Sequence, residues 1–310
     1  MKKDKIIAIL GQTATGKTKL GVELACNFNG EIISADSRQV YIGMDIGTGK
    51  DLQDFTIINN GSKINIPHHL IDILSPKKDF NLAEYQKKAY LAIKNVIERK
   101  KIPIIVGGSG LYAQSIIDEY ELSESKPDLT KRKILEKKES NELFNYLKRK
   151  NKEFALNLNN SEKNNKQRLI RYIEKVDSKL TSGKKHKESA FNPLLIAITL
   201  PKETLHKRIN ERLIHRLEKE AMIDEVIALH KSGIGYKRLE NFGLEYRYIA
   251  YYLQNKLDYD EMKDKLYLAI KQFAKKQLNW LKRWEKQGVT IHWVKNYKQA
   301  ELLTKEFLKH

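Results

Sequence analysis

Cysteine occurs once in this chain, at Cys26, which excludes a disulfide framework and a cysteine-built zinc finger. Long apolar runs are absent too; none approaches the ~18 residues of a membrane-spanning helix. The opening MKKDKIIAILGQ has lysines ahead of an apolar patch, but that patch is only Ile6 to Leu10. A signal peptide needs a longer apolar region and a small-residue cleavage site, so the patch reads as a first strand. Glycine disappears between Gly110 and Gly183, and proline occurs only six times. These features suit a cytoplasmic protein of one large or two modest domains, expected to be monomeric and to have no membrane association.

Charge of one sign dominates. Lys and Arg number 58 against 39 Asp and Glu, a net of +19. Residues 1–120 carry 16 cationic against 13 acidic side chains, residues 121–190 carry 19 against 11, and residues 201–295 carry 20 against 13. Most of the excess thus lies outside the first 120 residues. A basic surface of this kind points to a polyanionic partner, most simply nucleic acid, although a lysine-rich proteome gives the same balance.

The stretch Ile6 to Thr18, IIAILGQTATGKT, organises the rest. A buried parallel strand runs into Gly11, four residues, then Gly16-Lys17-Thr18, which fits the phosphate-loop pattern throughout. Two glycines let the backbone wrap its N–H groups around phosphate oxygens, and the helix from Lys17 to Phe28 aims its positive end at the same anion. Lys17 adds charge, and Thr18 offers a hydroxyl to a phosphate-bound Mg²⁺. Phosphate or diphosphate is implied; ATP is not.

Glu31 to Ser34 reads as a second strand whose carboxyl end delivers Asp36, Ser37, Arg38 and Gln39. Ligands of open α/β sheets bind at that end, so Asp36 faces the phosphate loop or caps the next turn. A loop with three glycines, Gly43 to Lys50, follows and is expected to close over a ligand. Adjacent His68 and His69 lack helical metal-ligand spacing and are not read as a metal site. Leu82, Tyr85, Ala89, Ile93 and Val96 make a core-facing helical stripe over 81–100. Ile102 to Val106 is a further strand, with Pro103 placing it at an edge or at its own start. It ends in GGSGLY at 107–112, a second glycine-rich turn.

Residues 117–190 are charged and glycine-poor and read as a helical insertion, with 157–167 an exposed polar connection and a helix beginning at 167–171. Leu194 to Leu200 returns to the sheet. Arg208, Arg212 and Arg216 recur every fourth residue, and like charges so placed repel unless an anion or acidic neighbours balance them. FGLEYR at 242–247 opens a tyrosine-rich helix, suited to stacking on unpaired bases or to ordinary core packing. Asp258 caps a long helix to Lys286, 289–294 is a last strand, and a helix closes the chain.

Taken together, GQTATGKT (11–18), ISADSRQVYIGMDIGTGK (33–50), PHHLID (67–72), GGSGLY (107–112), QRLIR (167–171), RINER (208–212) and QFAKKQLNW (272–280) resemble the tRNA dimethylallyltransferase family, also called tRNA isopentenyltransferases. The resemblance implies an α/β fold with a P-loop NTPase-like parallel sheet. The core would be 1–116 with 191–310, and 117–190 a helical insertion gripping the anticodon stem-loop of tRNA. It implies transfer of a dimethylallyl group from dimethylallyl diphosphate to N6 of adenine 37, beside the anticodon, with Mg²⁺ as cofactor. By the same resemblance Asp36 is the general base, and Lys17, Thr18 and Arg212 complete the catalytic set. Gly11, Gln12, Thr13, Ala14, Thr15, Gly16, Lys17 and Thr18 hold the diphosphate with Arg208, and Thr18 faces the metal. Ser37, Arg38, Gln39, Ser109, Gln167, Arg168, Leu169, Ile170, Arg171 and Arg247 would contact tRNA. Gln12 stands where the family usually has proline and Ser109 where it has threonine. The usual G-Y-[KR]-[EQ] element is not evident, and FGLEYR, with Arg247, occupies that neighbourhood. A small-molecule kinase or an adenylate isopentenyltransferase would share the loop and Asp36, but neither needs a basic insertion.

Overall fold

The computed structural model describes residues 3–59, 61–120, 122, 128–177 and 191–309. In chain order the first half holds β1 (Asp4–Gly11), α1 (Lys17–Asn27), β2 (Gly30–Ser34), β3 (Thr56–Asn59), β4 (Ser62–Asn65), β5 (His68–His69), α2 (Leu82–Glu98), β6 (Ile102–Gly107) and α3 (Gly110–Ile117). Five helices follow: α4 (Leu129–Leu135), α5 (Ser140–Lys150), α6 (Lys152–Leu156), α7 (Asn160–Lys163) and α8 (Lys166–Asp177). Then come β7 (Phe191–Ile198), α9 (Lys202–Glu218), α10 (Met222–Lys231), α11 (Tyr236–Phe242), α12 (Leu244–Leu253), α13 (Tyr259–Lys286), β8 (His292–Val294) and α14 (Tyr297–Lys309). By contact the chain divides into two compact units, residues 1–119 with 187–310, and residues 120–186.

The first unit is a six-stranded sheet in the order β5-β2-β6-β1-β7-β8, every pairing parallel. Strands buried on both faces read as continuous apolar runs, and β1 is one: Ile6, Ile7, Ala8 and Ile9 are all fully buried. Their side chains alternate. Ile6, Ala8 and Leu10 face α2, α3 and the end of α13, through Tyr85, Ile93, Ile116 and Trp284. Ile7 and Ile9 face α1 and α14 through Leu20, Leu24 and Ala300. Each buried Ile or Leu stabilises the fold by roughly 1.5–3 kcal/mol, so the sheet is rigid enough to hold the turns at its carboxyl end.

β6 lies inside the sheet, between β2 and β1, rather than at an edge. Pro103 is accommodated there as its second residue, where a missing N–H disrupts little of the ladder. His68 and His69 form the short edge strand, and His69 Nε2 lies 2.7 Å from Glu31 Oε2. The final strand is shorter than its sequence span, 292–294 within 289–294. Helices α9 to α13 build a third core around Ile209, Leu213, Val226, Tyr246 and Leu266. The 28-residue α13 starts in a capping box of Asp258 and Glu261 and spans about 42 Å. Its early residues Ile270 and Ala274 lie in the helical core and its later Leu281 and Trp284 in the sheet core.

The second unit has its own core of Leu135, Leu143, Leu147, Ala155, Leu158, Leu169, Ile170 and Ile173. The polar connection over 157–167 contains one short helix, α7, fixed by a capping box of Asn159 and Glu162. Residues 178–190 of the predicted insertion lie outside the described residues. Among the described residues no helix is long and apolar enough to cross a membrane.

Candidate active site

At the carboxyl end of β1, Gly11 takes φ +151°, and a Cβ there would fall 2.4 Å from the Ile198 carbonyl oxygen, so only glycine lets the loop leave between β1 and β7. Ala14 and Gly16 also have positive φ, 61° and 92°, which curls the peptides from Thr13 to Thr18 around one centre. Gln12 supplies what a proline could not: its Nε2 donates to the Ala274 carbonyl (3.1 Å) and its Oε1 accepts from Thr199 (3.2 Å). The loop is thereby tied to α13 and to the end of β7. Lys17 Nζ donates to the Gln12 carbonyl at 2.6 Å, and so does Thr15 Oγ1 at 2.8 Å.

The second glycine turn is pinned to the segment that follows β2. Ser109 N–H donates to the Ala35 carbonyl (3.2 Å), and Ser109 Oγ accepts from Ser37 N–H (3.4 Å). Gly110 lies flat on Trp280 of α13, where a Cβ would sit 2.2 Å from the ring. Between the two turns lies a cavity of about 950 Å³. Its walls are formed by Thr13, Ala14, Gly16, Lys17, Thr18, Asp36, Ser37, Arg38, Gln39, Gly108, Ser109, Arg208, Arg212, Arg216, Glu245, Arg247, Gln277 and Trp280.

Asp36 does both things the sequence allows. Its Oδ1 accepts the Arg38 N–H at 2.8 Å, an Asx-type turn, while the residue also lines the cavity opposite the loop. Burial raises its pKa above the ordinary carboxylate value, opposed by the Arg38 N–H bond and the Lys17 charge. Burial, with Arg212 nearby, lowers Lys17 to about 8. Arg212 falls to about 10, again from burial first and then from Arg216. Arg212 Nη2 hydrogen-bonds Thr13 Oγ1, joining the arginine row of α9 to the loop. An anion is the ligand such a wall favours, because cations crowded together in low dielectric gain most from a negative neighbour.

All three arginines of α9 reach the cavity, Arg208 exposed and Arg212 and Arg216 half-buried. Arg247 lines it as well and donates its Nε to the Glu240 carbonyl at 2.8 Å. Glu245, in the first turn of α12, is a carboxylate that the sequence reading did not single out. Burial raises its pKa, with Arg216 and Arg212 opposing and Asp36 adding to the rise. Gln277 and Trp280 were also unassigned, though both fall in the QFAKKQLNW stretch, three positions apart on one helical face. The remaining segment, 167–171, opens α8 of the second unit. There Leu169 and Ile170 are buried in that unit's core, whereas Gln167 and Arg168 are exposed and Arg171 is partly so.

Thr18 and Asp36 are hard oxygen donors, the type Mg²⁺ prefers. Among the described residues no three His, Cys, Asp or Glu side chains cluster as a metal cage. A metal at this cavity would therefore take most of its ligands from a bound diphosphate and water.

The sequence profile of the IPP transferase family matches residues 39–284. The chain is 42% identical over 305 residues to tRNA dimethylallyltransferase 2 of Treponema denticola, covering 94% of this chain and 96% of that protein. Its fold matches the full-length tRNA isopentenylpyrophosphate transferase of Bacillus halodurans with a TM-score of 0.70 and 32% identity, covering 99% of this chain and 96% of that one. The corresponding enzyme of Staphylococcus epidermidis gives a TM-score of 0.68, 32% identity and coverage of 99% and 100%. Matched by the family profile over 39–284 and by relatives of 32–42% identity over nearly its full length, the chain belongs to the IPP transferase family.

Proposed function

We propose that this protein is a tRNA dimethylallyltransferase, moving the dimethylallyl group of dimethylallyl diphosphate to N6 of adenine 37 beside the anticodon. One observation carries the chemistry: a half-buried carboxylate, Asp36, shares a single cavity with Lys17, the glycine loop and the arginine row of α9.

An allylic diphosphate ionises when its leaving group is neutralised in place. The N–H groups of Thr13 to Thr18, Lys17, Arg208 and Arg212 would hold the diphosphate and take up the charge that develops on it. Mg²⁺, held through Thr18 and the diphosphate, would supply further neutralisation. The exocyclic amine of adenine is a poor nucleophile, so attack requires alignment and loss of a proton. Asp36 accepts that proton; its raised pKa makes it a stronger base than an exposed aspartate. The adenine leaves its stack to reach the cavity, as bases do in other modifying enzymes. Ser37, Arg38, Gln39, Ser109 and Arg247 would meet the tRNA near that base. Gln167, Arg168 and Arg171 on the second unit would supply side chains for a further tRNA contact, with Leu169 and Ile170 holding their helix in place.

Incubation with labelled dimethylallyl diphosphate, and separately with labelled ATP, tests this against tRNA and AMP as acceptors. Label should pass from dimethylallyl diphosphate to tRNA alone. Phosphate transfer from ATP, or prenylation of AMP, would overturn the assignment.

A further inference from the structure

The glycine-rich loop from Gly43 to Lys50 forms part of the cavity wall, yet the reaction above gives it no task. One carboxylate holds its tip. Glu225, in the first turn of α10, accepts the N–H of Asp45 (2.8 Å) and of Ile46 (2.7 Å) on Oε2. Its Oε1 accepts the N–H of Gly47 (3.1 Å) and the Tyr246 hydroxyl (2.7 Å). Four donors thus fill the acceptor sites of one side chain, and three successive peptide N–H groups converge on one anion. At the loop's far end Lys50 is buried, donates to the Tyr41 carbonyl at 2.9 Å and pairs with Asp45 and Asp72.

What the fixed loop touches gives this arrangement its meaning. Gly47 lies on the Tyr246 ring, where a Cβ would be 2.6 Å from Cζ. Gly49 lies on the Arg216 guanidinium, where a Cβ would be 2.8 Å from Nη2. On its other side Arg216 has Glu220 at 3.9 Å. The Gly49 carbonyl also accepts from Gln39 Nε2 at 3.3 Å.

We infer that Glu225 is a positioning residue for the diphosphate site: by fixing the peptides of Asp45 to Gly47 it seats Gly49 against Arg216 and holds that guanidinium on the cavity wall. The inference rests on the cavity being the diphosphate site. Glutamine is a poor substitute, since its NH₂ would face at least one peptide N–H whichever way it turned.

Calorimetry with inorganic pyrophosphate and the full chain tests this through four proteins: wild type, Glu225→Gln, Arg216→Ala and the double variant. Each single change should weaken pyrophosphate by roughly 10-fold, the worth of one charge-assisted hydrogen bond. The double variant should bind no more weakly than Arg216→Ala, because Glu225 acts through Arg216. In turnover, Glu225→Gln should raise KM for dimethylallyl diphosphate more than it lowers kcat. Losses that multiply in the double variant, or that fall on kcat and both KM values alike, would mark Glu225 as a general brace and overturn the inference. Should Glu225→Gln not fold, Gly49→Ala disturbs the same contact from the loop side, at a φ of +68°. It should show the same selective loss, and wild-type pyrophosphate affinity in Gly49→Ala would count equally against the inference. Wild-type protein that ignores pyrophosphate altogether is a separate result, and it removes the diphosphate reading itself.

Discussion

The carboxamide of Gln277 accepts the backbone N–H of Thr13 at 2.7 Å, and the same side chain donates to the Gly108 carbonyl at 3.0 Å. One residue of α13 thus sets the spacing of the two glycine turns. Gln277 is 8% exposed, so Gln277→Ala leaves both peptide groups without a partner inside the protein. Each unpaired group costs about 1–3 kcal/mol. The thermal midpoint should drop by several degrees, at roughly 2–4 °C per kcal/mol, and pyrophosphate affinity should fall with it. An unchanged midpoint would show that water takes over both bonds.

Asp36→Asn keeps the shape and the acceptor for the Arg38 N–H but removes basicity. Turnover should fall by roughly 10²- to 10⁴-fold, the usual worth of a general base, with diphosphate and tRNA affinities little changed. If Asp36 served the metal instead, raised Mg²⁺ would restore much of the rate and diphosphate binding would weaken. Single-turnover rates separate the two roles, and a near-normal rate would leave Asp36 as a turn-former only.

Lys17, lowered to about 8 by burial and by Arg212, ties diphosphate binding to pH. A neighbouring polyanion favours the ammonium form, so the pKa in the complex lies above 8. Between those two values binding takes up a proton, and affinity, full below the lower value, declines as pH rises through it. Calorimetry in buffers of differing ionisation heat should detect that uptake. On the acid side Asp36 must be ionised to accept a proton, so kcat/KM should fall as pH drops through its raised pKa. The profile is therefore bell-shaped, its acid limb above the ~3.9 of a free aspartate. A flat alkaline side would remove Lys17 from diphosphate binding.

Replacing Arg168 and Arg171 together should weaken tRNA binding and flatten its salt dependence. The slope of log K against log salt is about −0.7 to −0.9 per neutralised phosphate, so losing two contacts reduces its magnitude by about 1.4 to 1.8. Pyrophosphate affinity should be untouched. An unaltered slope would take 167–171 out of the interface.

The parts of this site legible in the sequence are those whose chemistry is local. Gly11, Gly16, Lys17 and Thr18 announce themselves by spacing, and Asp36 by following an apolar strand. Gln277 does not, because a glutamine between Lys276 and Leu278 on an amphipathic helix looks like part of a solvated face. Glu225 and Glu245 are hidden for a similar reason: an acidic residue in the first turn of a helix is expected for the helix dipole alone. The three peptide N–H partners of Glu225 lie 178 to 180 residues away in sequence. Leu169 and Ile170 show the converse. Their motif groups them with RNA contacts, while their 0% and 1% exposure makes them the core of the second unit. Of the two places the missing donor allows Pro103, an edge strand or a strand's start, it takes the start, inside the sheet.

The register of the sheet sets a timetable for the nascent chain. Residue 4 of β1 pairs with residue 191 of β7, so one long side of this apolar strand has no partner until the strand beyond the second unit has been made. At ~5–20 residues per second that interval is roughly 10–40 s of synthesis. Gln277 and Trp280, which pin the two glycine turns, emerge later still. A ribosome stalled anywhere before α13 would display a phosphate loop in sequence with no cavity around it. Binding of pyrophosphate should accordingly arrive in a single step near the end of translation.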